Sequence, residues 1–337
     1  SADEALAVDP LADGIDLQPL FDLMANESVL KVFHAGRQDI EILYNLAGAV
    51  PHPIFDTQLA AMVCGFGDSV GYETLVSKLL RQNLDKASRF TDWARRPLTD
   101  RQLSYALDDV IYLQDIYLKL HEQMEKSGRA HWLDEEMETL ASPSTYDTPP
   151  EMAWKRLKAR NNNPRFLGIL QEIAAWRETE ARTRDMPRNR VMRDEALLEI
   201  AAHPPKKPDD LGRMRSVSQG FASSRAGKLL FEAVTRGVKL PDDVLPQVNK
   251  PKPLPRGIGP LVDLLKVLLK MKCEENDVAQ KLIGNVADLE KVAAYDNADV
   301  AAMKGWRKEV FGNDAMRLKK GEIALAANGN KINLVEL

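Results

Sequence analysis

Residues 71–113 read GYETLVSKLLRQNLDKASRFTDWARRPLTDRQLSYALDDVIYL, and this stretch decides how the first part of the chain is interpreted. Apolar residues in its last third recur at positions 103, 106, 107, 110, 111 and 113, a spacing that predicts an amphipathic helix. Tyr105 and Asp109 lie one turn apart on that helix and share a face. A carboxylate beside a phenol can hold a divalent cation while the phenol orients a water molecule. The competing interpretation is an amphipathic core tyrosine next to a solvated charge.

Several uncommon elements follow one another in the same stretch. In order they are Leu84-Asp85-Lys86, Asp92-Trp93, Arg96-Pro97-Leu98 and Tyr105-x-x-x-Asp109. This order resembles the third exonuclease motif of ribonuclease D, a family of DEDD 3′→5′ exonucleases, in the subgroup marked by a tyrosine. The resemblance implies that Asp109 is a metal ligand and that Tyr105 orients the attacking water.

An earlier segment resembles the same family. Residues 29–33 predict a strand that runs through a tight turn into a helix predicted over 37–46. The segment VFHAGRQDIEIL, residues 32–43, resembles the second exonuclease motif, which implies that Asp39 is a metal ligand. His34 lies at the same sheet edge, where sites of α/β folds collect, and is included among the expected nucleic-acid contacts. Without the resemblance, Asp39 is an acid favoured by the helix dipole and His34 is a structural histidine.

The first exonuclease motif, an Asp-x-Glu triplet on the leading strand, has no counterpart in this sequence. The Asp-x-Glu triplets present begin at Asp39, Asp134 and Asp288, and all lie in helical context. We therefore expect an N-terminally shortened exonuclease domain that lacks its first strands. The resemblance implies Mg²⁺ or Mn²⁺ in a two-metal site, because carboxylate oxygens suit these ions. With two of the four expected acidic ligands, the chain should bind metal weakly and cleave RNA poorly.

Composition excludes several classes of protein. The sequence has 44% hydrophobic and 28% charged residues, which is ordinary for a soluble protein. No apolar run is long enough to predict a transmembrane helix, and no secretory signal is visible, so the cytoplasm is the expected compartment. Cys64 and Cys273 are far apart and show no zinc-site spacing. The absence of a GxxxxGK[ST] loop gives no support for a nucleotide cofactor.

Charge is distributed unevenly along the chain. Residues 1–150 contain 12 basic and 25 acidic side chains, whereas residues 152–240 contain 19 basic and 10 acidic ones. Residues 241–337 are nearly balanced, with 15 and 14. An acidic module beside a basic one suits a metal-dependent catalytic domain joined to a domain that holds a polyanion. Two oppositely charged surfaces that dock on each other are the alternative.

The order of domains follows from further resemblances, and composition predicts the linkers between them. The segment LQEIAAWRETEARTRDMPRNRVMRDEALLEIA, residues 170–201, resembles the first helices of an HRDC domain, and GWRKEVFG, residues 305–312, resembles the end of a second such domain. The fold class is thus an α/β ribonuclease H-like exonuclease domain lacking its first strands, followed by two all-α HRDC-like domains. The predicted order is an exonuclease domain at 1–141, a linker at 142–150, a first HRDC domain at 151–240, a linker at 241–256, a second HRDC-like domain at 257–320 and a tail at 321–337.

Local patterns add four expectations. Residues 5–8 are a short apolar run that predicts a strand. Asp56 is placed to be a helix N-cap. A helix is predicted over 112–138. The tail is irregular, with a possible short strand over 332–335.

The function that the resemblance implies is hydrolysis of RNA from its 3′ end, with tRNA precursors as substrates and no membrane partner. A non-catalytic RNA-binding or scaffold protein and a DNA exonuclease of the same fold are the alternatives. The expected nucleic-acid contacts, besides His34, are Lys86, Arg96, Arg182, Arg184, Arg188, Arg190 and Arg193.

Overall fold

The structure is a computed structural model and describes residues 4–84, 91–147, 149–247 and 253–337. The chain divides into two compact units. The first unit combines Ser1–Tyr146 with Pro253–Leu337, and the second is Asp147–Lys252. This grouping joins the C-terminal segment to the first part of the chain. The sequence predicts a separate third domain for that segment. The domain bounds and the HRDC-like character of the C-terminal segment stay predictions.

The N-terminal part of the first unit alternates helices with short strands. A π-helical turn lies at Val76–Leu80, and 3-10 turns lie at Ala130–Trp132 and Pro143–Thr145. The helices and strands are α1 (Gln18–Ala25), β1 (Lys31–Phe33), α2 (Arg37–Ala47), β2 (Ile54–Asp56), α3 (Thr57–Val63), α4 (Tyr72–Leu75), α5 (Asp100–Ile111), α6 (Leu113–Ser127) and α7 (Asp134–Ala141).

The two short strands pair in parallel. Lys31 lies opposite Ile54 and Phe33 lies opposite Asp56. Parallel strands bring their carboxyl ends to the same edge of a sheet, so the turn after β1 lies beside the start of α3. All three β2 residues are buried, which agrees with their position inside the unit.

Two expectations about regular structure were wrong. The apolar run at residues 5–8 has no regular secondary structure, and Leu6 and Val8 are 73% and 57% exposed. A strand needs a hydrogen-bonded neighbour, and this segment pairs with no strand in the described part of the chain. The long helix predicted over 112–138 is interrupted, because Gly128 adopts a left-handed conformation (φ 69°) that ends α6.

The second unit is helical throughout its regular structure. Its longest helix, α8 (Pro164–Thr183), has an N-cap at Asn163, whose side chain accepts from the N–H groups of Arg165 and Phe166, and Pro164 occupies the first turn. 3-10 turns lie at Pro150–Arg156 and Asp242–Val244. The helices are α8 (Pro164–Thr183), α9 (Arg188–Val191), α10 (Asp194–Ala202), α11 (Pro208–Leu211), α12 (Gln219–Ala222) and α13 (Arg225–Lys239), and α8 forms the centre of the core.

The C-terminal segment of the first unit is helical and ends in a β-hairpin. A 3-10 turn at Ala301–Met303 and a π-helical turn at Lys308–Gly312 separate some of its helices. The elements are α14 (Gly259–Glu275), α15 (Gln280–Ile283), α16 (Val286–Ala294), α17 (Gly305–Arg307), α18 (Asn313–Lys320), β3 (Ile323–Asn328) and β4 (Lys331–Glu336).

The C-terminal segment shares one hydrophobic core with the N-terminal part. Trp306 stacks on Trp132 with ring centroids 4.2 Å apart and planes 5° from parallel. Arg307, 2% exposed, forms ion pairs with Glu135 and Glu136 of α7, and its Nε donates to the Leu282 carbonyl at 2.5 Å. These contacts explain why the two segments form one unit.

The tail is more regular than expected. The strand predicted over 332–335 is present within β4, but its antiparallel partner β3 was not predicted. A Gly329-Asn330 turn joins the strands, with Gly329 at φ 60°. Gly-Asn between two apolar runs is a recognised hairpin signal, so the sequence contained the information that was needed.

Within the described residues, no helix is both long and apolar enough to cross a membrane. The cytoplasmic location stays a prediction.

We predict that Arg307→Met destabilises the protein by roughly 2–4 kcal/mol, because it leaves the Leu282 carbonyl without its donor and two acidic side chains without their cation. The two glutamates retain some exposure, which keeps the loss below that of a fully buried pair. Urea unfolding followed by tryptophan fluorescence measures the change. Lys266→Met is the control, since Lys266 forms an exposed ion pair with Asp263 on α14. An Arg307→Met midpoint equal to that of the control would contradict the prediction.

Candidate active site

Asp56 joins the carboxyl ends of β1 and β2. Its carboxylate is 2% exposed. Oδ1 accepts hydrogen bonds from the backbone N–H groups of Gln58 (2.8 Å), Ala35 (3.1 Å) and Leu59 (3.3 Å), and Oδ2 accepts from Gly36 (2.8 Å). The predicted N-cap is therefore confirmed, and the same side chain also fixes the turn that opens α2.

The turn after β1 has strict steric demands. Ala35 has φ 55°, in the left-handed region. A Cβ at position 36 would lie 2.5 Å from the Phe33 Cβ, so only glycine fits there. This turn fixes where α2 begins and hence where Asp39 lies, in the first turn of that helix.

The two predicted metal ligands lie near each other, because the charge of one affects the pKa of the other. Asp39 on α2 and Asp109 on α5 are both open to solvent. Partial burial raises the pKa of Asp39, and the charge of Asp56 raises it further. Partial burial also raises the pKa of Asp109, followed by the charges of Asp108 and Asp39. Side chains 70 positions apart thus lie close enough to repel each other.

A capping box sets the start of α5. The Thr99 hydroxyl accepts from the Gln102 N–H at 3.3 Å, and the Gln102 Oε1 accepts from the Thr99 N–H at 3.0 Å. The buried Gln102 amide also donates to the Thr91 hydroxyl (3.1 Å) and to the Asp92 carbonyl (3.3 Å). The segment before α5 is therefore tied to its first turn.

This arrangement places an aromatic side chain beside the predicted catalytic tyrosine. The rings of Trp93 and Tyr105 have centroids 5.8 Å apart. Tyr105 and Asp109 both lie within α5, one turn apart, as their spacing predicted. The segment from Trp93 to Asp109 thus supplies both an aromatic surface and a carboxylate.

Tyr72 is a site residue that the sequence analysis did not identify. Its hydroxyl donates to the Asp108 carbonyl at 3.1 Å, and its ring centroid lies 5.5 Å from that of His34. Burial raises the pKa of Tyr72, and the negative charge of Asp109 contributes in the same direction. Tyr72 therefore connects the turn after β1 with α5. No local pattern distinguishes it from other tyrosines at the start of a helix.

His34 is held from one side. The Thr57 hydroxyl donates to the Phe33 carbonyl at 3.0 Å, which leaves its oxygen to accept from Nδ1–H of His34 at 3.0 Å. Nε2 of His34 is buried and makes no hydrogen bond of good geometry with a described residue. Burial lowers the pKa of His34, although the charge of Asp56 and the nearby Val70 carbonyl oppose this. These features favour a neutral His34 that supports the turn after β1. Its contact with nucleic acid stays a prediction.

Arg96 makes contacts within the protein. Its guanidinium forms a bidentate ion pair with Asp9, with both N–O distances at 2.6 Å, and donates to the carbonyls of Trp93 and Arg95. The hydrogen bonds from Arg96 lower the pKa of Asp9 to about 2. Arg96 thus anchors the N-terminal segment, and its contact with RNA stays a prediction. Lys86, another expected contact, lies outside the described residues.

The expected arginine contacts of the second unit differ in their surroundings. Arg182 and Arg188 approach the buried Glu178 at 3.5 and 3.4 Å, and Arg184 approaches Glu180 at 3.6 Å. Arg190 is exposed and forms no ion pair within residues 149–247. Three of these four arginines are therefore paired with neighbouring acids.

Taken over the described residues, no group of three or more histidine, cysteine or acidic side chains is arranged to hold a metal ion. Asp39 and Asp109 form a pair of hard oxygen donors whose repulsion a cation would relieve, so their chemistry fits a divalent metal.

Comparisons with known proteins agree with the fold. Residues 1–125 match the family model described as 3′-5′ exonuclease, and residues 166–234 match the HRDC domain. The fold and the site thus define a 3′→5′ exonuclease that carries an HRDC domain.

Relatives over the whole length identify the family. A ribonuclease D of Nitrobacter hamburgensis is 52% identical over 336 residues, covering 100% of this chain and 88% of the relative. A ribonuclease D of a Jannaschia species is 49% identical, covering 99% and 86%. The crystal structure of Escherichia coli RNase D has a TM-score of 0.73 at 29% identity and covers 91% of this chain and 83% of its own. This chain belongs to the ribonuclease D family of 3′→5′ exoribonucleases.

We predict that Asp56→Asn destabilises the protein by about 1–3 kcal/mol. The amide oxygen can keep the N-cap of α3, but the amide nitrogen then faces the N–H of Gly36, so one hydrogen bond is replaced by two opposed donors. Thermal and urea unfolding measure the loss. An Asp56→Asn protein as stable as wild type would show that the Gly36 hydrogen bond contributes nothing.

We also predict that Asp109→Asn raises the melting temperature in metal-free buffer at pH 7. The raised pKa of Asp109 means that its charged form opposes folding, and stability gained by protonation appears only as the pH falls through that pKa. The neutral amide removes the opposition at neutral pH. Adding Mn²⁺ should stabilise wild type more than the variant. Glu125→Gln, an exposed acid on α6, is the charge-matched control. A lower melting temperature for Asp109→Asn in metal-free buffer would contradict the prediction.

Proposed function

We propose that this protein removes nucleotides from RNA 3′ ends in a reaction that depends on Mg²⁺ or Mn²⁺, with tRNA precursors as substrates. The observation that carries the proposal is that Asp39 and Asp109, on different helices and both open to solvent, lie close enough for the charge of Asp39 to raise the pKa of Asp109. The related Escherichia coli enzyme, described as an exoribonuclease involved in structured RNA processing, supports a folded RNA as substrate.

Asp39 and Asp109 are the residues that would hold the metal. Both carboxylates have raised pKa values, a cost that the fold bears without a bound cation. When bound, divalent cations lower the pKa of the attacking water and stabilise negative charge on the phosphate. The pair supplies hard oxygen donors of the kind that Mg²⁺ and Mn²⁺ prefer.

Tyr105 is proposed to orient the attacking water through its hydroxyl. It lies one helical turn before Asp109, and the Trp93 ring packs 5.8 Å away, which restricts its rotation. A phenol in a fixed position can hold a water molecule by a hydrogen bond without reorganising during the reaction.

The other named residues support these groups or contact the RNA. Asp56, Tyr72 and His34 connect the turn after β1 with α5 and so set the separation of the two carboxylates. Contact with the RNA strand is proposed for the basic residues named from the sequence, namely Lys86, Arg96, Arg182, Arg184, Arg188, Arg190 and Arg193.

We predict that Asp109→Asn lowers the rate of nucleotide release at least about a hundredfold, because loss of even an outer-sphere partner of a metal costs roughly 10- to 100-fold in affinity or activity. RNA binding should be retained, because the substitution adds no repulsion toward phosphates. Shortening of 5′-labelled RNA in the presence of Mn²⁺, and binding in metal-free buffer, measure the two effects.

Tyr105→Phe separates water orientation from metal binding. The variant should lose nucleotide release while the Mn²⁺-dependent rise in melting temperature stays as in wild type, since the phenol is not a proposed ligand. Parallel RNA and DNA oligonucleotides of the same sequence test the choice of substrate. RNA binding by wild type without any nucleotide release would favour a non-catalytic scaffold and overturn the proposal.

A further inference from the structure

We propose that a cleft in the second unit binds unpaired nucleotides of the RNA substrate, with Phe221 stacking on a base and with Arg193 and Arg215 contacting phosphates. The inference rests on the proposed function for the identity of the ligand as RNA. It adds a defined binding site, with Phe221 and Arg215 as contacts that the sequence did not indicate and Arg193 as one of the expected arginines.

The cleft is a cavity of about 830 Å³, within the range of ligand sites. Two segments form its walls, one around the start of α10 and one that leads into α12. Its lining combines aromatic, basic and small polar side chains, including Phe221, Arg193, Arg215, Ser216 and Asn189. This mixture suits a ligand with both a flat ring and charged oxygens.

The two arginines of the cleft are available for a ligand. Arg193 and Arg215 are exposed, and neither forms an ion pair within the described residues of the second unit. In this respect they differ from Arg184, which is paired with Glu180. An unpaired guanidinium can bind a phosphate without first breaking an ion pair in the protein.

A buried arginine holds one wall of the cleft in place. Arg177 is 4% exposed, and its Nη1 donates to the Met192 carbonyl at 2.9 Å and to Asp194 Oδ1 at 2.6 Å. These bonds fix the backbone on both sides of Arg193. They also neutralise Asp194, so that its charge does not repel a phosphate in the cleft.

Phe221 is positioned by its own contacts. The Ser218 hydroxyl accepts from the Phe221 N–H at 3.2 Å, and the ring lies edge-on to Trp176 with centroids 6.3 Å apart. The ring is partly exposed where it lines the cleft. Aromatic rings held in this way provide stacking surfaces for the bases of single strands.

The position of Glu195 in the cleft favours a ligand that presents bases as well as phosphates. It is exposed and lines the same cleft, where its charge opposes a ligand that offers phosphates alone. A carboxylate can accept a hydrogen bond from the exocyclic amine of a base. An unpaired segment of RNA presents both groups, whereas a fully paired helix shields its bases.

The test measures binding by the full chain in metal-free buffer, so that no cleavage interferes. The probe is a fluorescent stem-loop RNA with an unpaired 3′ tail, and a blunt duplex of the same stem is the reference. Phe221→Leu should raise Kd for the tailed RNA roughly 5- to 100-fold and leave the blunt duplex unchanged. Equal melting temperatures of variant and wild type establish that the leucine variant is folded.

The arginines are tested by salt dependence. The double variant Arg193→Gln with Arg215→Gln should weaken binding and reduce the slope of log Kd against log salt by about 1.4, because each phosphate neutralised on a single strand contributes about 0.7 to that slope. Glu195→Gln should leave binding unchanged or tighten it. Arg236→Gln, which removes an exposed arginine that is paired with Glu172 and does not line the cleft, is the control and should bind as wild type.

The outcomes separate this inference from the proposed function. If wild type binds the tailed RNA and the cleft variants bind equally well, the cleft is not the site, whether or not the enzyme releases nucleotides. If the cleft variants lose binding while wild type releases no nucleotide, the cleft stands and the catalytic proposal falls. Equal weakening of tailed and blunt RNA binding in Phe221→Leu would overturn the stacking role.

Discussion

The buried carboxylate of Asp56 is the constraint on which the site depends. A buried charge is tolerated only when its hydrogen bonds are satisfied. This carboxylate accepts hydrogen bonds from four backbone N–H groups in two different turns. Two of those groups belong to the start of α3 and two belong to the turn that opens α2. The starts of both helices are thereby fixed relative to each other, and the position of Asp39 follows from them.

The site is arranged at a cost to the stability of the folded state. A carboxylate whose pKa is raised by a neighbouring carboxylate is unfavourable in its charged form without a cation, and the fold nevertheless holds Asp109 near Asp39 by contacts of neighbouring groups. The Tyr72 hydroxyl binds the backbone at Asp108, and the capping box at Thr99 fixes the other end of α5. These hydrogen bonds hold the backbone in place, while the repelling charges remain for a ligand to relieve. Such local destabilisation is expected where stability and activity compete.

Local patterns in the sequence predicted part of this arrangement. The helix that carries Tyr105 and Asp109 follows from apolar spacing, and the N-cap at Asp56 follows from its position before a helix. Contacts between distant segments could not be predicted, because nothing near Arg96 indicates Asp9 as its partner and nothing near Tyr72 indicates α5. The same limit applies to the core shared by the N-terminal part and the C-terminal segment, which side chains far apart in sequence create.

The arginines of the second unit show why a count of charges overstates nucleic-acid contact. Helical spacing places acids three or four residues from many of these arginines, so that Arg182 and Arg184 meet Glu178 and Glu180 on the same helix. A paired guanidinium must exchange one anion for another to bind a phosphate, so its net gain is small. The residues with most to gain from RNA are those that the fold leaves unpaired beside an aromatic ring. The sequence determines the net charge of the unit. Tertiary packing determines which of its arginines remain unpaired and can bind a phosphate.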